Sequence, residues 1–212
     1  MGLAQTGTGK TAAFGLPLLA AIMRMEGRPA PKSVRGLILA PTRELAKQIQ
    51  DQLLLLIKCT PMKVGLVVGG ASLNAQANRL ARGTDILVAT PGRLIDLMDR
   101  GSIDLGRTRF LVLDEADQML DMGFIHALRR IAPKLGTLRQ TMLFSATMPK
   151  PMEELSRAYL TNPAKVQVSP PGKAADKITQ SVHHLAGKAE KAAKLREILS
   201  DDPNALTLVF SR

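Results

Sequence analysis

Short apolar runs alternate along this chain with segments of helical periodicity, and this alternation restricts its fold more than any other feature. The runs lie at residues 34–40, 64–68, 85–89, 110–113, 141–144 and 164–168. Each is almost entirely apolar, which is typical of parallel strands covered by helices on both faces. Residues 10–25 illustrate the helical segments, with Phe14, Leu18 and Ile22 on one face. The sequence therefore predicts an α/β domain with a mostly parallel, doubly wound sheet.

Polar motifs follow several of these strands directly. Residues 41–46 read Pro-Thr-Arg-Glu-Leu-Ala, residues 90–93 read Thr-Pro-Gly-Arg, and residues 145–147 read Ser-Ala-Thr. Asp-Glu-Ala-Asp occupies 114–117, and Gly69-Gly70 closes another strand. Because ligands of doubly wound sheets bind beyond the carboxyl ends of the strands, we expect these motifs to meet at one edge and form a site.

The stretch Ala4–Thr11, Ala-Gln-Thr-Gly-Thr-Gly-Lys-Thr, is a candidate phosphate-binding loop. Gly7 and Gly9 permit a tight turn with inward-pointing amides, Lys10 adds a positive charge, and Thr11 offers a hydroxyl where a helix begins. The usual pattern Gly-x-x-x-x-Gly-Lys-Ser/Thr has glycine where this chain has Ala4. Taken alone, the stretch could also be a glycine-rich turn with an exposed lysine.

Asp114 directly follows the apolar run at 110–113 and is a candidate Walker B carboxylate. It would hold Mg²⁺ together with Thr11, and Glu115 would polarise an attacking water. The two acids could instead be an acidic helix start favoured by the helix dipole. A phosphate loop upstream makes the metal-binding interpretation the better one, and the layout is that of an ATPase. No Asn-Lys-x-Asp guanine motif follows, which argues against a GTPase.

The charge balance points to a polyanionic partner. The chain carries 29 Lys+Arg against 18 Asp+Glu, a net charge of +11, which favours nucleic acid. Aromatic residues make up only 3%, so we expect contacts to the sugar-phosphate backbone rather than base stacking. Cys59 is the single cysteine, which excludes an internal disulfide and fits a cytoplasmic location. No apolar run approaches 18 residues, so we expect no membrane association.

The motifs as a set resemble those of the DEAD-box ATP-dependent RNA helicases of superfamily 2. They occur in the family's order and cover residues 1 to about 150. Residues 121–131, Asp-Met-Gly-Phe-Ile-His-Ala-Leu-Arg-Arg-Ile, are similar to the bacterial RhlE-type branch. Residues 208–212, Leu-Val-Phe-Ser-Arg, resemble the motif that opens the second RecA-like domain of the family.

The resemblance implies two RecA-like domains, both incomplete. Residues 1–168 would form the first, ATP-binding domain, without its first strand and adenine-reading segment. Residues 169–177 read as a linker, and residues 178–212 would begin the second domain with a strand (178–185), a helix (188–199) and a strand (206–210). We therefore expect this chain to hydrolyse ATP poorly by itself and not to unwind RNA. The alternative is a nucleotide- or RNA-binding module without turnover.

The resemblance also implies roles in ATP chemistry, residue by residue. Glu115 would be the catalytic base, acting with Lys10 and Asp114, and Thr11 and Asp114 would hold Mg²⁺. The ATP phosphates would be bound by Ala4, Gln5, Thr6, Gly7, Thr8, Gly9, Lys10 and Thr11. Ala4 matches the family pattern and so removes the doubt raised by the missing glycine.

RNA binding and its coupling to ATP are implied at the other motifs. The RNA backbone would be contacted by Pro41, Thr42, Arg43, Gly70, Thr90, Gly92 and Arg93. Coupling of the two sites would fall to Asp117, Ser145 and Thr147. Each has a plainer interpretation: the arginines as solvated residues at helix starts, the glycine pair as a turn, and the hydroxyls as helix caps. Any ribonucleoprotein or RNA-degradation partner is left open.

Overall fold

The chain forms two compact units, Met1–Gly172 and Lys173–Arg212, in a computed structural model. The structure describes residues 1–3, 9–167, 179, 181–201 and 205–210. Within those ranges every strand belongs to the first unit, and the second unit contains a single helix. No helix in this part of the chain is both long and apolar enough to cross a bilayer.

Strands and helices alternate through the first unit. The strands are β1 (Gly2–Leu3), β2 (Val34–Leu39), β3 (Val64–Val67), β4 (Thr84–Ala89), β5 (Phe110–Leu113), β6 (Gln140–Ser145) and β7 (Val166–Gln167). The helices are α1 (Lys10–Met23), α2 (Arg43–Leu56), α3 (Leu73–Leu80), α4 (Pro91–Asp99), α5 (Ala116–Asp121), α6 (Ile125–Ile131) and α7 (Lys150–Tyr159). A short 3₁₀ turn, Ala132–Lys134, follows α6.

The strands form one parallel sheet in the order β3-β4-β2-β5-β6-β1-β7. In the centre of the sheet Leu39, the last residue of β2, is level with Ala89 of β4 and Leu113 of β5. The carboxyl ends of these strands therefore reach the same edge, where the polar motifs begin. The predicted α/β fold with a parallel sheet is confirmed.

Helices cover both faces of the sheet, and two apolar clusters lie beneath them. Leu37 and Leu39 of β2 belong to one cluster, whereas Ile38 between them belongs to the other. This division follows from the strand period of two, which sends successive side chains to opposite faces. Phe14 of α1 and Ile49 of α2 fill the second cluster and are fully buried. The all-apolar runs in the sequence are thus explained by burial on both sides.

Strand β1 is a two-residue strand that the sequence pattern did not reveal. Gly2 pairs with Phe144 of β6 on one side and with Val166 of β7 on the other. A Cβ at Gly2 would stand 2.9 Å from Cδ1 of Phe144, so glycine suits this crowded place. Two residues are too few to show a strand period, which is why the pattern did not reveal them.

The start of α2 and the break between α5 and α6 follow from residue types in the sequence. Thr42 caps α2, its hydroxyl oxygen accepting a hydrogen bond from the Leu45 amide at 3.1 Å. A break at Gly123 separates α5 from α6. Gly123 has φ +80°, a left-handed conformation that costs glycine little.

Among its described residues, the second unit contains the predicted helix, α8 (Lys188–Asp201), and no strand. Residues 181–185 and 206–210 have no regular structure, and positions 178 and 180 lie outside the described residues. A strand needs a neighbour to satisfy its backbone amides and carbonyls, and in the described part of the unit no neighbour pairs with either segment. Leu206 and Phe210 are accordingly exposed. The apolar pattern of these two segments is compatible with strands, but the pattern does not show whether a partner strand is present.

Candidate functional site

A cleft of about 500 Å³ opens at the carboxyl edge of the sheet. It is lined by the start of α1, one side of α2 and the residues that follow β5. Gly9 has φ +79° immediately before α1, which explains a glycine at this turn. Thr11 lies half-buried in the first turn of α1. The predicted phosphate-loop residues Ala4, Gln5, Thr6, Gly7 and Thr8 lie outside the described residues.

Lys10 and Asp114 meet at the base of this cleft. Nζ of Lys10 lies 3.9 Å from Oδ1 of Asp114, and the two side chains are only 9% and 3% exposed. Burial raises the pKa of Asp114, while the Lys10 ammonium acts in the opposite direction. The Asp114 carboxylate is therefore desolvated, and the Lys10 ammonium offsets only part of the cost of burying its charge. The Asp114 carboxylate and the Thr11 hydroxyl, which lies in the same lining, are hard oxygen ligands of the kind that Mg²⁺ prefers.

Glu115 also lines the cleft, and its backbone is left-handed. Its φ and ψ are 49° and 52°, a conformation that costs a residue with a side chain about 1–3 kcal/mol. The Glu115 amide donates a hydrogen bond to Oδ1 of Asp114 at 3.1 Å. This sharp turn between β5 and α5 brings both carboxylates to one cavity. The residue pattern does not predict the left-handed backbone at Glu115.

Asp117 binds the loop that follows β6. Its Oδ2 accepts hydrogen bonds from the Thr147 amide and hydroxyl, both at 2.9 Å, and from the Ala146 amide at 3.2 Å. Ser145 Oγ accepts from the Asp117 amide at 3.2 Å and donates to the Thr147 carbonyl at 2.7 Å. The three residues predicted to act in coupling are thus in direct contact. Their cluster joins the start of α5 to the end of β6.

Hydrogen bonding sets the charge state of Asp117. Partial burial alone would raise its pKa, but the hydrogen bonds from Thr147 and Ser145 outweigh burial, so the pKa of Asp117 lies below its usual value. A lowered folded-state pKa means that the ionised form stabilises the fold. This stabilisation is present above the unfolded pKa of about 3.9 and is lost as the pH falls through the folded pKa.

We expect Asp117→Asn to lower the free energy of unfolding by about 1–2 kcal/mol at pH 7, the lower end for charged hydrogen bonds because the group is partly exposed. The difference from the parent chain should shrink as the pH falls from about 4 through the lowered pKa of Asp117, below which the parent carboxylate is protonated as well. Urea unfolding followed by circular dichroism at several pH values would measure it. A difference that stays constant down to pH 2.5 would contradict this assignment.

A second cavity, about 420 Å³, opens at the same edge and is called the arginine groove here. Its lining includes six of the seven residues predicted to bind RNA: Pro41, Thr42, Arg43, Thr90, Gly92 and Arg93. The seventh, Gly70, lies beside the groove and packs closely against the side chain of Arg43. Gly70 has φ +82°, and a Cβ there would stand 2.6 Å from Nη1 of Arg43.

Arg93 is held at the other side of the arginine groove. Its Nη1 donates to the Ala71 carbonyl at 2.7 Å, and its Nε lies 3.3 Å from Oδ2 of Asp96. Arg43 is exposed and makes no ion pair with any described residue. Two guanidinium groups from different motifs therefore face one groove, which would suit phosphate oxygens.

Sequence reasoning missed several residues that line these cavities. Gln48 and Gln52 of α2 line the Lys10–Asp114 cleft, and Phe124 lines the arginine groove. Gln48 and Gln52 follow Glu44 at intervals of four, so they share one face of α2 with it. That spacing could have identified them. Phe124 comes from the break between α5 and α6, and only the tertiary fold brings it to the groove.

A model of the DEAD/DEAH box helicase family matches residues 1–155 of the chain. The chain belongs to this family. Among curated DEAD-box proteins it is 44% identical, over 219 residues, to the chloroplastic DEAD-box ATP-dependent RNA helicase 3A of Zea mays, covering 99% of this chain and 28% of that protein. It is 39% identical, over 213 residues, to the ATP-dependent RNA helicase DeaD of Haemophilus influenzae, covering 100% of this chain and 34% of that protein. The chain thus spans about a third or less of these relatives' length.

Solved structures of DEAD-box proteins have the same fold. The yeast splicing factor Prp28 superposes with a TM-score of 0.74 at 36% identity, over 94% of this chain and 47% of that one. A DEAD box protein from the hyperthermophile Methanococcus jannaschii superposes with a TM-score of 0.72 at 34% identity, over 79% of this chain and 44% of that one. Asp-Glu-Ala-Asp at 114–117 is the motif that names these helicases. The closer assignment to the RhlE-type branch stays a prediction.

Proposed function

We propose that this chain forms the ATP-binding part of an ATP-dependent RNA helicase that couples ATP binding and hydrolysis to RNA-backbone binding and local duplex unwinding. One observation carries the proposal: the Lys10–Asp114 cleft and the arginine groove open at the same edge of one sheet. Strand β2 leads directly into the groove, and its last residue accepts a hydrogen bond from the Asp114 amide at 2.9 Å. A movement of Asp114 in the cleft would therefore shift the end of β2, which leads into the arginine groove.

ATP would be bound by the start of α1 and the end of β5. Lys10 would neutralise phosphate charge, and the loop Ala4–Thr11 would surround the triphosphate with backbone amides. Thr11 and Asp114 would hold Mg²⁺, which when bound neutralises charge on the phosphate oxygens. Glu115 would orient the attacking water and accept its proton. Lys10, Asp114 and Glu115 would thus be the catalytic residues.

RNA would be bound in the arginine groove through its backbone. Arg43 and Arg93 would donate to phosphate oxygens, and Gly70 and Gly92 would permit close approach of the chain. Contacts of this kind carry no base code, so little sequence preference is expected. The groove therefore supports binding of single-stranded RNA of many sequences.

The Asp117–Ser145–Thr147 cluster would couple the two sites. Asp117 lies two residues after the proposed base Glu115 and binds the loop after β6 through three hydrogen bonds. Movement of α5 on nucleotide binding would be transmitted to that loop. We assign coupling rather than catalysis to these residues because they do not line the Lys10–Asp114 cleft.

The domain boundaries are part of the same proposal. Residues 1–168 would be the ATP-binding RecA-like domain, residues 169–177 a linker, and residues 178–212 the start of a second RecA-like domain. The separation of the chain into two units supports this organisation. A cytoplasmic location also stays a prediction.

The proposal is tested by ATP hydrolysis in the presence and absence of single-stranded RNA. Single-turnover conditions, with the protein in excess over radiolabelled ATP and with Mg²⁺ present, would reveal slow chemistry. We expect only slow hydrolysis, which EDTA abolishes, because this chain should hydrolyse ATP poorly by itself. Fast, RNA-stimulated turnover would contradict that expectation. Nucleotide and RNA binding without any turnover would favour a binding module. Failure to bind either ligand would contradict the proposal.

We expect Arg43→Ala to weaken binding of an eight-nucleotide single-stranded RNA about tenfold, because one charge-assisted phosphate contact is lost. The slope of log affinity against log salt should fall by about 0.7 for that contact. Fluorescence anisotropy with a labelled oligonucleotide measures both quantities. Arg157→Ala, an exposed arginine of α7 outside both cavities, is the matched control. Equal losses in the two variants would argue against the groove as the binding site.

A further inference from the structure

The arginine groove does not account for the strong positive charge of the chain. Arg43 and Arg93 share its lining with Glu44 and Asp96, so the charged residues of the groove sum to zero. The chain as a whole carries a net charge of +11. The excess positive charge therefore lies elsewhere on the molecule.

Two adjoining clefts at the opposite edge of the sheet hold much of this charge. Their volumes are about 470 and 600 Å³, and both are lined by Met25, Arg28, Pro29 and Arg35. We call the pair the basal cleft, defined by its six basic residues Arg28, Arg35, Lys63, Arg82, Arg107 and Arg109. Asp85 is the one acidic residue in the lining among the described residues, which leaves a net charge of +5.

Arg35 and Asp85 neutralise each other on the floor of the basal cleft. Nη1 of Arg35 lies 3.3 Å from Oδ1 of Asp85, and Nη2 of Arg35 donates to the carbonyls of Glu26 and Gly27 at 2.7 Å. Oδ2 of Asp85 accepts from the Lys63 amide at 2.9 Å. This pair has its partners within the fold and serves structure. The charge available to a ligand therefore resides on the other basic residues.

The remaining basic side chains are exposed and uncompensated. Arg28, Lys63, Arg82, Arg107 and Arg109 make no ion pair with any residue that the structure describes. Like charges that repel one another without internal partners weaken the fold, and a bound polyanion would relieve the repulsion. Arginine in particular offers a planar fork of donors that matches phosphate oxygens.

The loops that carry these side chains are tightly packed together. Gly83 has φ +75°, and a Cβ there would stand 2.3 Å from the Ala30 carbonyl. A Cβ at Gly136 would stand 2.5 Å from the Gly106 carbonyl. Such close backbone approaches permit only glycine and hold neighbouring loops at fixed spacing. The basic residues of the basal cleft are thus displayed on a rigid frame, which lowers the cost of binding.

We propose that the basal cleft is a second binding surface for the phosphate backbone of RNA. The choice of RNA as the polyanion rests on the proposed function. No aromatic side chain lines the cleft among the described residues, so phosphate contacts rather than base stacking are its chemistry. An acidic protein segment is disfavoured because interfaces with proteins rely on buried aromatic anchors.

The geometry determines which RNA can use both surfaces. Strand β2 has six residues and separates the two edges of the sheet by about 20 Å. At a rise of about 3.4 Å per nucleotide, an RNA needs at least about six nucleotides beyond the arginine groove to cover this separation. A single eight-nucleotide RNA bound in the groove should therefore not reach the basal cleft. A 40-nucleotide RNA should reach the basal cleft as well.

The test is binding of labelled 8- and 40-nucleotide single-stranded RNAs to the chain and to the triple variant Arg28→Ala, Arg82→Ala, Arg107→Ala. We expect the variant to lose about tenfold in affinity for the 40-mer and about 2 in its salt slope, with a clearly smaller loss for the 8-mer, which cannot span both surfaces. The matched control, Lys150→Ala, Arg157→Ala, Lys165→Ala, removes the same charge and should change neither. Thermal melts of all three proteins verify folding.

Each other outcome has a distinct meaning. An unchanged 40-mer affinity in the basal variant, or an equal loss in the control variant, would overturn the proposal. Displacement of the 40-mer by poly-glutamate as readily as by unlabelled RNA would overturn the choice of RNA. Absence of 8-mer binding to the parent chain would count against the arginine groove and the proposed function. A loss confined to the basal variant would still support the basal cleft in that case.

Discussion

Replacing Glu115 by glutamine should slow ATP hydrolysis by about 10²–10⁴-fold, the usual contribution of a general base. Glutamine keeps the length and hydrogen-bonding capacity of the side chain but cannot accept the proton of the attacking water. The affinity for Mg²⁺-ATP should stay within about threefold, because the bound triphosphate is held mainly by charges and amides elsewhere in the cleft. Single-turnover hydrolysis and displacement of a fluorescent nucleotide would measure the two effects separately.

Stability is the necessary companion measurement for Glu115→Gln. Glutamine must adopt the same left-handed backbone, so the cost of that conformation is unchanged and the melting temperature should not move. Glu154→Gln, on the exposed face of α7, is the matched control and should retain full activity. Hydrolysis by Glu115→Gln at the parental rate would remove Glu115 from the role of base.

Replacing Lys10 by methionine should weaken Mg²⁺-ATP binding by about 100-fold or more, which corresponds to one buried charge pair of about 3 kcal/mol. Methionine preserves the length of the side chain and removes its charge. In the ligand-free chain the Asp114 carboxylate would then lose the cation 3.9 Å away, and the pKa of Asp114 should rise further. Isothermal titration calorimetry would report the affinity, and carbon-detected NMR titration would follow the carboxyl group.

An exposed lysine provides the control for Lys10→Met. Lys47 forms an ion pair with Asp51 on the surface of α2, where such pairs contribute little. Lys47→Met should bind Mg²⁺-ATP like the parent. If both lysine variants weakened binding equally, a general loss of positive charge rather than the Lys10–Asp114 pair would be responsible.

The fold could be predicted from the sequence because its strands are buried on both faces. Residues 110–113 illustrate this, since the apolar run and strand β5 have the same bounds. The contact between Lys10 and Asp114 was foreseeable for a related reason: the ends of parallel strands share one edge, so motifs far apart in the chain meet there. Local rules sufficed for the Thr42 cap as well.

Features that depend on residues far apart in the chain could not be predicted from the sequence. Strand β1 exists because Gly2 finds neighbours about 140 and 160 positions later in the chain. Residues 206–210 have a strand-like composition but no such neighbour among the described residues. The left-handed turn at Glu115 and the position of Arg43 beside Gly70 are likewise products of packing. Neither a residue period nor a propensity contains that information.

The position of β1 between β6 and β7 also sets the order in which the domain can be completed during synthesis. The Met1 amino group donates to the Ala164 carbonyl at 2.7 Å, and Gly2 pairs with Val166. Residues that lead into the proposed phosphate loop therefore remain without these partners until the segment around Val166 has also been synthesised. Contacts of such long range are formed late and slowly. A nascent chain should consequently complete the proposed ATP site as one of the last events of folding, after the β2–β5 core has formed.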